Sequence, residues 1–230
     1  MRSGKRIGVV IPALDEEAAI GQVIDAIPGW VDDVVVVDNG STDATASIAR
    51  AHGARVVDES RRGYGVACRA GIDALDDPHV VVFLDGDFSD RPEQMARLVD
   101  PIVEDRADLV LGNRVCESGS KHPMSWVQRS GNRLACRLIN GIWCAHYSDL
   151  GPFRAIRRTA LEALGLQDRN FGWTVEMQIK ATQRGMRVEE VHTSYRNRIG
   201  RSKISGTVRG AVGAGAKILF VIFRSALQRG

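Results

Sequence analysis

The sequence predicts an α/β fold: a doubly wound, mostly parallel sheet of Rossmann-like type with helices on both faces. Three observations carry this. Short β-branched runs alternate with longer helical patterns through the first half of the 230 residues. Runs such as VVVV (34–37) and VVVF (80–83) are apolar on both faces, which suits strands covered by helices on each side. Strands separated by helices imply right-handed crossovers rather than hairpins.

In chain order, strands are expected at 7–11 (IGVVI), 34–38 (VVVVD), 54–58 (ARVVD), 79–85 (HVVVFLD) and 108–112 (DLVLG). The helices between them are expected over 16–27, 42–52, 64–75 and 92–104. The second half breaks the rhythm. Residues 113–124 are polar with Gly and Pro and read as a loop. A helix is expected at 125–142, a short strand at 153–157, a helix at 173–184, an alternating edge strand at 187–195 and a last helix over 206–228.

Composition sets limits. With 44% hydrophobic and 26% charged residues the chain can build a core, so disorder is excluded as its main state. A net charge of +3 does not point to nucleic acid, and none is expected as a partner. The charge is unevenly placed: after residue 193 there are Arg and Lys but no Asp or Glu. Cys68, Cys116, Cys136 and Cys144 form no Cys-x-x-Cys pair and are expected as reduced thiols. Cys144-Ala-His146 lacks zinc-site spacing. The N-terminus reaches Pro12 and three acids too soon for a signal peptide. The apolar run 210–223 is broken by Lys217 and closed by Arg224, too short for a span.

Ligands in open α/β sheets bind beyond the carboxyl ends of the strands. Those ends are acidic here: Asp15 and Glu16 after the first, Asp38 at the second, Asp85-Gly86-Asp87 at the fourth. Helix capping explains Thr42 and Asp43 as well as any ligand does. Several carboxylates converging on one sheet edge repel one another unless a cation joins them. Hard oxygen donors with open positions suit Mg²⁺ or Mn²⁺ carrying a diphosphate.

These segments resemble a known family. VVIPALDEE (9–17), VVVVDNGSTDAT (34–45), RRGYGVACRAGI (61–72) and FLDGDFSDRPEQ (83–94) are similar to GT-A-fold glycosyltransferases of family 2. LVLGNR (109–114), DLGPFRAIRR (149–158), FGWTVEMQIKA (171–181) and RIGRSKISG (198–206) resemble its polyprenyl-phosphate sugar synthases, such as the dolichyl-phosphate mannose and glucose synthases. Pro152 departs from that branch, which carries Ser or Gly there.

The resemblance implies a GT-A domain over 1–205, with a nucleotide-sugar half to about 113 and an acceptor half from 114, followed by an amphipathic helix at 206–230. It implies that Pro12, Leu14 and Glu16 hold base and ribose and that Asp38 contacts the nucleoside. Asp87 is then a direct metal ligand, with Asp85 on the metal or the ribose. It assigns Arg114 to the reacting phosphates and Arg154 to an anion contact. Arg198, Arg201 and Lys203 become a loop that meets the acceptor phosphate. Glu176 stands where many family members carry a base. Gly63 and Gly65 fit a phosphate approach or a tight turn equally. Arg69 fits a donor phosphate or the surface.

The implied reaction is a metal-dependent inverting transfer of a hexose from GDP-mannose or UDP-glucose to a polyprenyl phosphate. A hydroxyl acceptor with Glu176 as base is one alternative. A nucleotide-sugar-binding scaffold working with a membrane protein is another. On a helical wheel Arg209, Lys217, Arg224 and Gln228 share one sector of the last helix, opposite Val208, Val212, Leu219, Ile222 and Phe223. That pattern fits docking on the core or attachment to an anionic bilayer, with Gly206, Gly210 and Ala214 suited to a partner helix. The expected location is peripheral, at the cytoplasmic side of the membrane; a homo-oligomer or membrane partner stays open.

Overall fold

The computed structural model describes residues 1–115, 124–200 and 208–228, with the backbone alone for 208–212. Its strands are β1 (Ile7–Ala13), β2 (Asp33–Asp38), β3 (Arg55–Asp58), β4 (Val80–Phe83), β5 (Leu109–Asn113), β6 (Arg154–Arg157) and β7 (Val188–His192). They form one sheet in the order β3-β2-β1-β4-β6-β5-β7. Every pairing is parallel except those of β6, which runs antiparallel to β4 and β5. All seven strand expectations hold, and the edge placement of 187–195 holds for β7. The reversal of β6 is not readable from FRAIR, because periodicity carries no strand direction.

The helices are α1 (Ile20–Asp25), α2 (Thr45–Ala51), α3 (Tyr64–Ala74), α4 (Ala96–Val103), α5 (Trp126–Trp143), α6 (Arg158–Leu164), α7 (Trp173–Gln183) and α8 (Val208–Leu227). Two expectations need correction. The helix expected over 92–104 is a 3₁₀ turn at Pro92–Gln94 followed by α4. The helix expected from residue 16 begins at Ile20, after a turn at 17–19 that follows left-handed Asp15 (φ +48°) and whose amides at Ala19 and Ile20 donate to the Glu16 carbonyl. Helix α6, directly after β6, was unforeseen.

Alternate residues of each central strand enter opposite cores. Val10, Val81, Phe83, Leu109 and Leu111 pack under α3, α5, α6, α7 and α8. Val9, Ile11, Val82 and Val110 pack under α1 and α4 on the other face. Fully burying each such side chain contributes about 1.5–3 kcal/mol, so the apolar strand runs are the main source of the sheet's stability. The parallel strands β1, β2, β4 and β5 place Ala13, Asp38, Phe83 and Asn113 at one edge.

Two glycines decide how that edge is roofed. Gly63 has φ +143° and precedes α3; Gly65 lies in its first turn. A β-carbon at either would overlap a carbonyl oxygen of the 168–169 backbone. Val66 donates to the Arg169 carbonyl at 3.2 Å across the same contact. The glycine pair therefore lets the 166–172 loop lie directly on the start of α3. Gly65→Ala should destabilise the protein by about 1–3 kcal/mol, as overpacking does. Urea unfolding checks this; an unchanged midpoint would show that the loop moves away without cost.

Candidate active site

The site begins with the turn after β4. Asp87 is buried and its Oδ1 accepts from the Ser89 amide at 2.9 Å. Phe88 takes a left-handed φ of +59° in this turn, and the charges of Asp85, Asp87 and Asp90 act on one another across it. Segment 195–199 clamps this turn. Arg196 stacks on the Phe88 ring at 3.2 Å and donates to the Phe88 and Asp90 carbonyls. The Ile199 amide donates to the Asp87 carbonyl at 2.9 Å.

Burial pushes the Asp85 carboxyl up to about 7; the Asp87 charge adds to that, and Arg114 and Arg198 oppose it. Burial and the Asp85 charge push Asp90 well above the carboxylate range. Asp90 was missed in the sequence, where it read as part of a polar turn. Its Oδ2 is buried with no hydrogen-bond partner among the described residues. Arg198 spans the gap, donating to Glu16 at 2.8 Å and lying 3.3 Å from Asp87 Oδ2.

Two cavities of about 400 Å³ each meet here. The first is lined by Pro12, Leu14, Glu16, Asn39, Arg62, Asp85, Asp87 and Arg198. The second is lined by Arg114, Leu150, Pro152, Tyr195, Arg196, Ala214 and Ile218. Tyr64, Asp85, Asp87, Phe171 and Arg198 face both. The structure thus brings together Pro12, Leu14, Glu16, Asp85, Asp87, Arg114 and Arg198. Asp38 sits at the end of β2 with its carboxylate accepting from the Ser41 amide at 2.8 Å, and it lines neither cavity. Its neighbour Asn39 does line the first, tied to the Glu59 and Arg61 carbonyls and to the Gly63 amide. Arg201 and Lys203 lie outside the described residues.

The arginines divide into distinct tasks. Arg114 forms a two-pronged pair with buried Asp149, both contacts 2.8 Å, and stacks on Tyr195. Burial would raise the Asp149 carboxyl, but Arg114 and two backbone amides hold it below its ordinary value. Arg154 is 1% exposed and donates to the carbonyls of Gly151 and Thr174. It lines neither cavity; it pins the 150–151 loop to α7. Arg69 likewise donates to the Leu166 carbonyl.

Glu176 is also placed away from both cavities. Its carboxylate accepts from the Gln167 and Asp168 amides and pairs with Lys180 at 2.7 Å. It holds the loop that presents Asn170 and Phe171 to the first cavity. Asp168 in that loop pairs with Lys217 of α8 at 2.8 Å.

Hard carboxylate donors at a cavity mouth fit a divalent cation. Among the described residues no three His, Cys, Asp or Glu side chains are grouped to hold one alone, so oxygens from a bound diphosphate would have to complete the shell.

The model of Glycosyl transferase family 2 matches residues 8–165. The chain belongs to that family. An uncharacterized glycosyltransferase of Mycobacterium tuberculosis is 39% identical over 211 residues, 91% of this chain and 94% of the relative. The dolichyl-phosphate hexose transferase of Haloferax volcanii is 36% identical over 209 residues, 89% of each. The glucosyl-3-phosphoglycerate synthase of M. tuberculosis, solved with Mn²⁺, UDP-glucose and phosphoglyceric acid, superposes with a TM-score of 0.80 at 25% identity, covering 98% of this chain and 81% of that one. The same synthase has also been solved with Mg²⁺ and UDP. The architecture is the GT-A fold, and the chain is a glycosyltransferase enzyme.

The raised Asp85 carboxyl has a consequence for the metal-free transferase. The folded state holds this proton up to about pH 7, whereas an unfolded Asp releases it near 4. Stability is therefore lost as pH rises between those values. Asp85→Asn should stabilise the metal-free protein by roughly 1–3 kcal/mol at pH 8 and by little at pH 4. Urea unfolding with chelator at both pH values checks this; an equal gain at both would remove the buried-charge explanation.

Proposed function

We propose that this glycosyltransferase is a metal-dependent inverting hexosyltransferase, moving a hexose from a nucleoside-diphosphate sugar to the phosphate of a polyprenyl phosphate. The observation that carries the acceptor class is the makeup of the second cavity. Its lining combines Arg114, Arg196 and Arg198 with apolar Leu150, Pro152 and Ile218, and among the described residues its carboxylates are Asp85 and Asp87. A hydroxyl acceptor needs a base to take its proton. Glu176, the base expected for that reaction, is paired with Lys180 and two amides outside the cavity. A phosphate acceptor is already anionic and needs cations instead. The apolar side of the cavity suits a prenyl chain, and the Haloferax relative, by its name, acts on dolichyl phosphate.

The donor occupies the first cavity, with its base and ribose against Pro12, Leu14 and Asn39 and its diphosphate toward Asp85 and Asp87. Mg²⁺ or Mn²⁺, as bound by the structural relative, would be held there by Asp87 with Asp85 and would supply positive charge to offset that of the diphosphate and of the departing nucleoside diphosphate. Arg198 exchanges Asp87 and Glu16 for acceptor and donor phosphates. Arg114, fixed by Asp149, brings a preorganised charge to the acceptor side. An acceptor phosphate oxygen attacks the anomeric carbon as the bond to the diphosphate oxygen breaks on the opposite face. Configuration inverts, and no covalent enzyme intermediate forms.

The test combines the enzyme, Mn²⁺, labelled nucleotide sugars and a membrane lipid extract. An acid-labile, organic-phase product is expected, and Asp87→Ala should reduce its rate at least about 10²–10³-fold, the scale of removing one electrostatic stabiliser. Glu176→Gln should keep the pH–rate profile. An acid-stable glycoside, with Glu176→Gln losing the basic limb, would support a hydroxyl acceptor. No transfer or hydrolysis with any donor would support a scaffold.

A further inference from the structure

Among the described residues eight large apolar side chains are exposed, and six belong to just two helices. Helix α5 shows Trp126, Val127 and Leu134; α8 shows Phe220, Phe223 and Leu227. Trp126 is 72% exposed and Leu227 86%, values that packing against this chain does not explain. On each helix they share one side. Phe220, Phe223, Arg224 and Leu227 fall within about 100° of the wheel, opposite buried Val221 and Ile222 and the core-packed Ile218 and Ala226. The two helices touch, and their inner faces enter the same core on one side of the sheet. Their outer faces therefore open on that same side.

The sector assignment made from the sequence changes with this. Lys217 is not part of a solvated cationic stripe, because it pairs with Asp168 and fastens α8 to the 166–172 loop. The charges that flank the exposed apolar residues are Arg129, Arg133 and Arg137 on α5 and Arg224 on α8, all exposed. Neither helix contains an Asp or Glu.

We propose that the outward faces of α5 and α8 form one docking surface for an anionic lipid bilayer, with the aromatic side chains entering the interface and the arginines meeting lipid phosphates. Charge complementarity selects this occupant. A second copy packed face to face about a two-fold axis would set this acid-free, arginine-bearing surface against itself. An anionic membrane meets both the apolar and the cationic part. No described helix is long and apolar enough to cross a membrane, so attachment is peripheral. The same helices also border the second cavity, through Ser125 and Gln128 at the start of α5 and Ala214 and Ile218 on α8. A lipid-linked acceptor would then enter from the docked side without leaving the bilayer. This last point rests on the proposed acceptor; the docking surface does not.

The test uses the full chain and no acceptor or donor, so it stands apart from the transfer assay. Vesicles of phosphatidylcholine alone, or with an equal part of phosphatidylglycerol, are sedimented with protein. Binding to the anionic vesicles is expected, weakened by raised salt. Phe220→Ser combined with Phe223→Ser should lower partitioning at least tenfold, and Arg133→Glu combined with Arg137→Glu should abolish the preference for anionic lipid. Brominated lipid should quench tryptophan fluorescence in the unmodified protein, and Trp126→Phe should remove most of that quenching; this readout does not depend on the serine variants folding. Equal binding by all variants, no quenching, or a concentration-dependent dimer that the serine substitutions abolish in a protein that ignores vesicles would each overturn the proposal.

Discussion

The site is governed by the carboxylates at the end of β4, taken out of water beside one another. Asp85, Asp87 and Asp90 act on one another across a turn that contains left-handed Phe88, at an edge already largely removed from water. Such a cluster survives only if cations surround it or its carboxyls keep their protons. Both happen: Arg198 bridges Asp87 and Glu16, and Asp85 and Asp90 hold protons above the ordinary range. This strain is what a divalent cation with a diphosphate would relieve. Much of the surrounding architecture serves to hold the cluster together, including the Arg196 clamp and the amide from Ile199.

The remaining arginines show that position, rather than residue type, sets the role. Arg114 and Arg154 both follow or begin strands near the same edge. Arg114 is paired with Asp149 yet faces a cavity, whereas Arg154 is buried among carbonyls and acts as an internal brace. Glu176 is a brace of the same kind. Through it the 166–172 loop reaches three places at once: the glycine start of α3, the first cavity, and α8 through Asp168 and Lys217. The proposed donor side and the proposed membrane side are thereby parts of one connected structure.

The sheet was legible because its strands are buried on both faces, so VVVV and VVVF stand out from the helical stretches. The acidic strand ends were legible for the related reason that carboxylates beside such runs need a ligand. The parallel run of β1 to β5 was legible too, from the helices between them, but the order of the strands and the direction of β6 were not. The antiparallel insertion of β6 between β4 and β5 depends on chain path, which a five-residue apolar pattern does not encode. Arg154 and Glu176 drew attention as charged residues in family-like segments, but Arg154 is held by carbonyls and Glu176 by the Gln167 and Asp168 amides besides Lys180, and no side-chain pattern announces the backbone partners. Asp90 was hidden by the opposite problem: Ser-Asp-Arg-Pro looks like any polar turn until the fold sets it beside Asp85. The outward face of α8 was partly visible in its amphipathic pattern. The exposed half supplied by α5 was not, since Trp126 and Leu134 are as compatible with a core as with a surface.

We infer that Arg198 competes with the metal and its diphosphate for Asp87 and Glu16. The most direct measurement is the affinity for Mn²⁺ alone, followed by the electron paramagnetic resonance of the free ion, in the unmodified protein and in Arg198→Ala. Removing a competing cation from Asp87 and Glu16 should tighten Mn²⁺ binding several-fold while slowing sugar transfer. Weaker Mn²⁺ binding in Arg198→Ala would contradict the account, because it would make Arg198 a support of the metal site instead of its occupant.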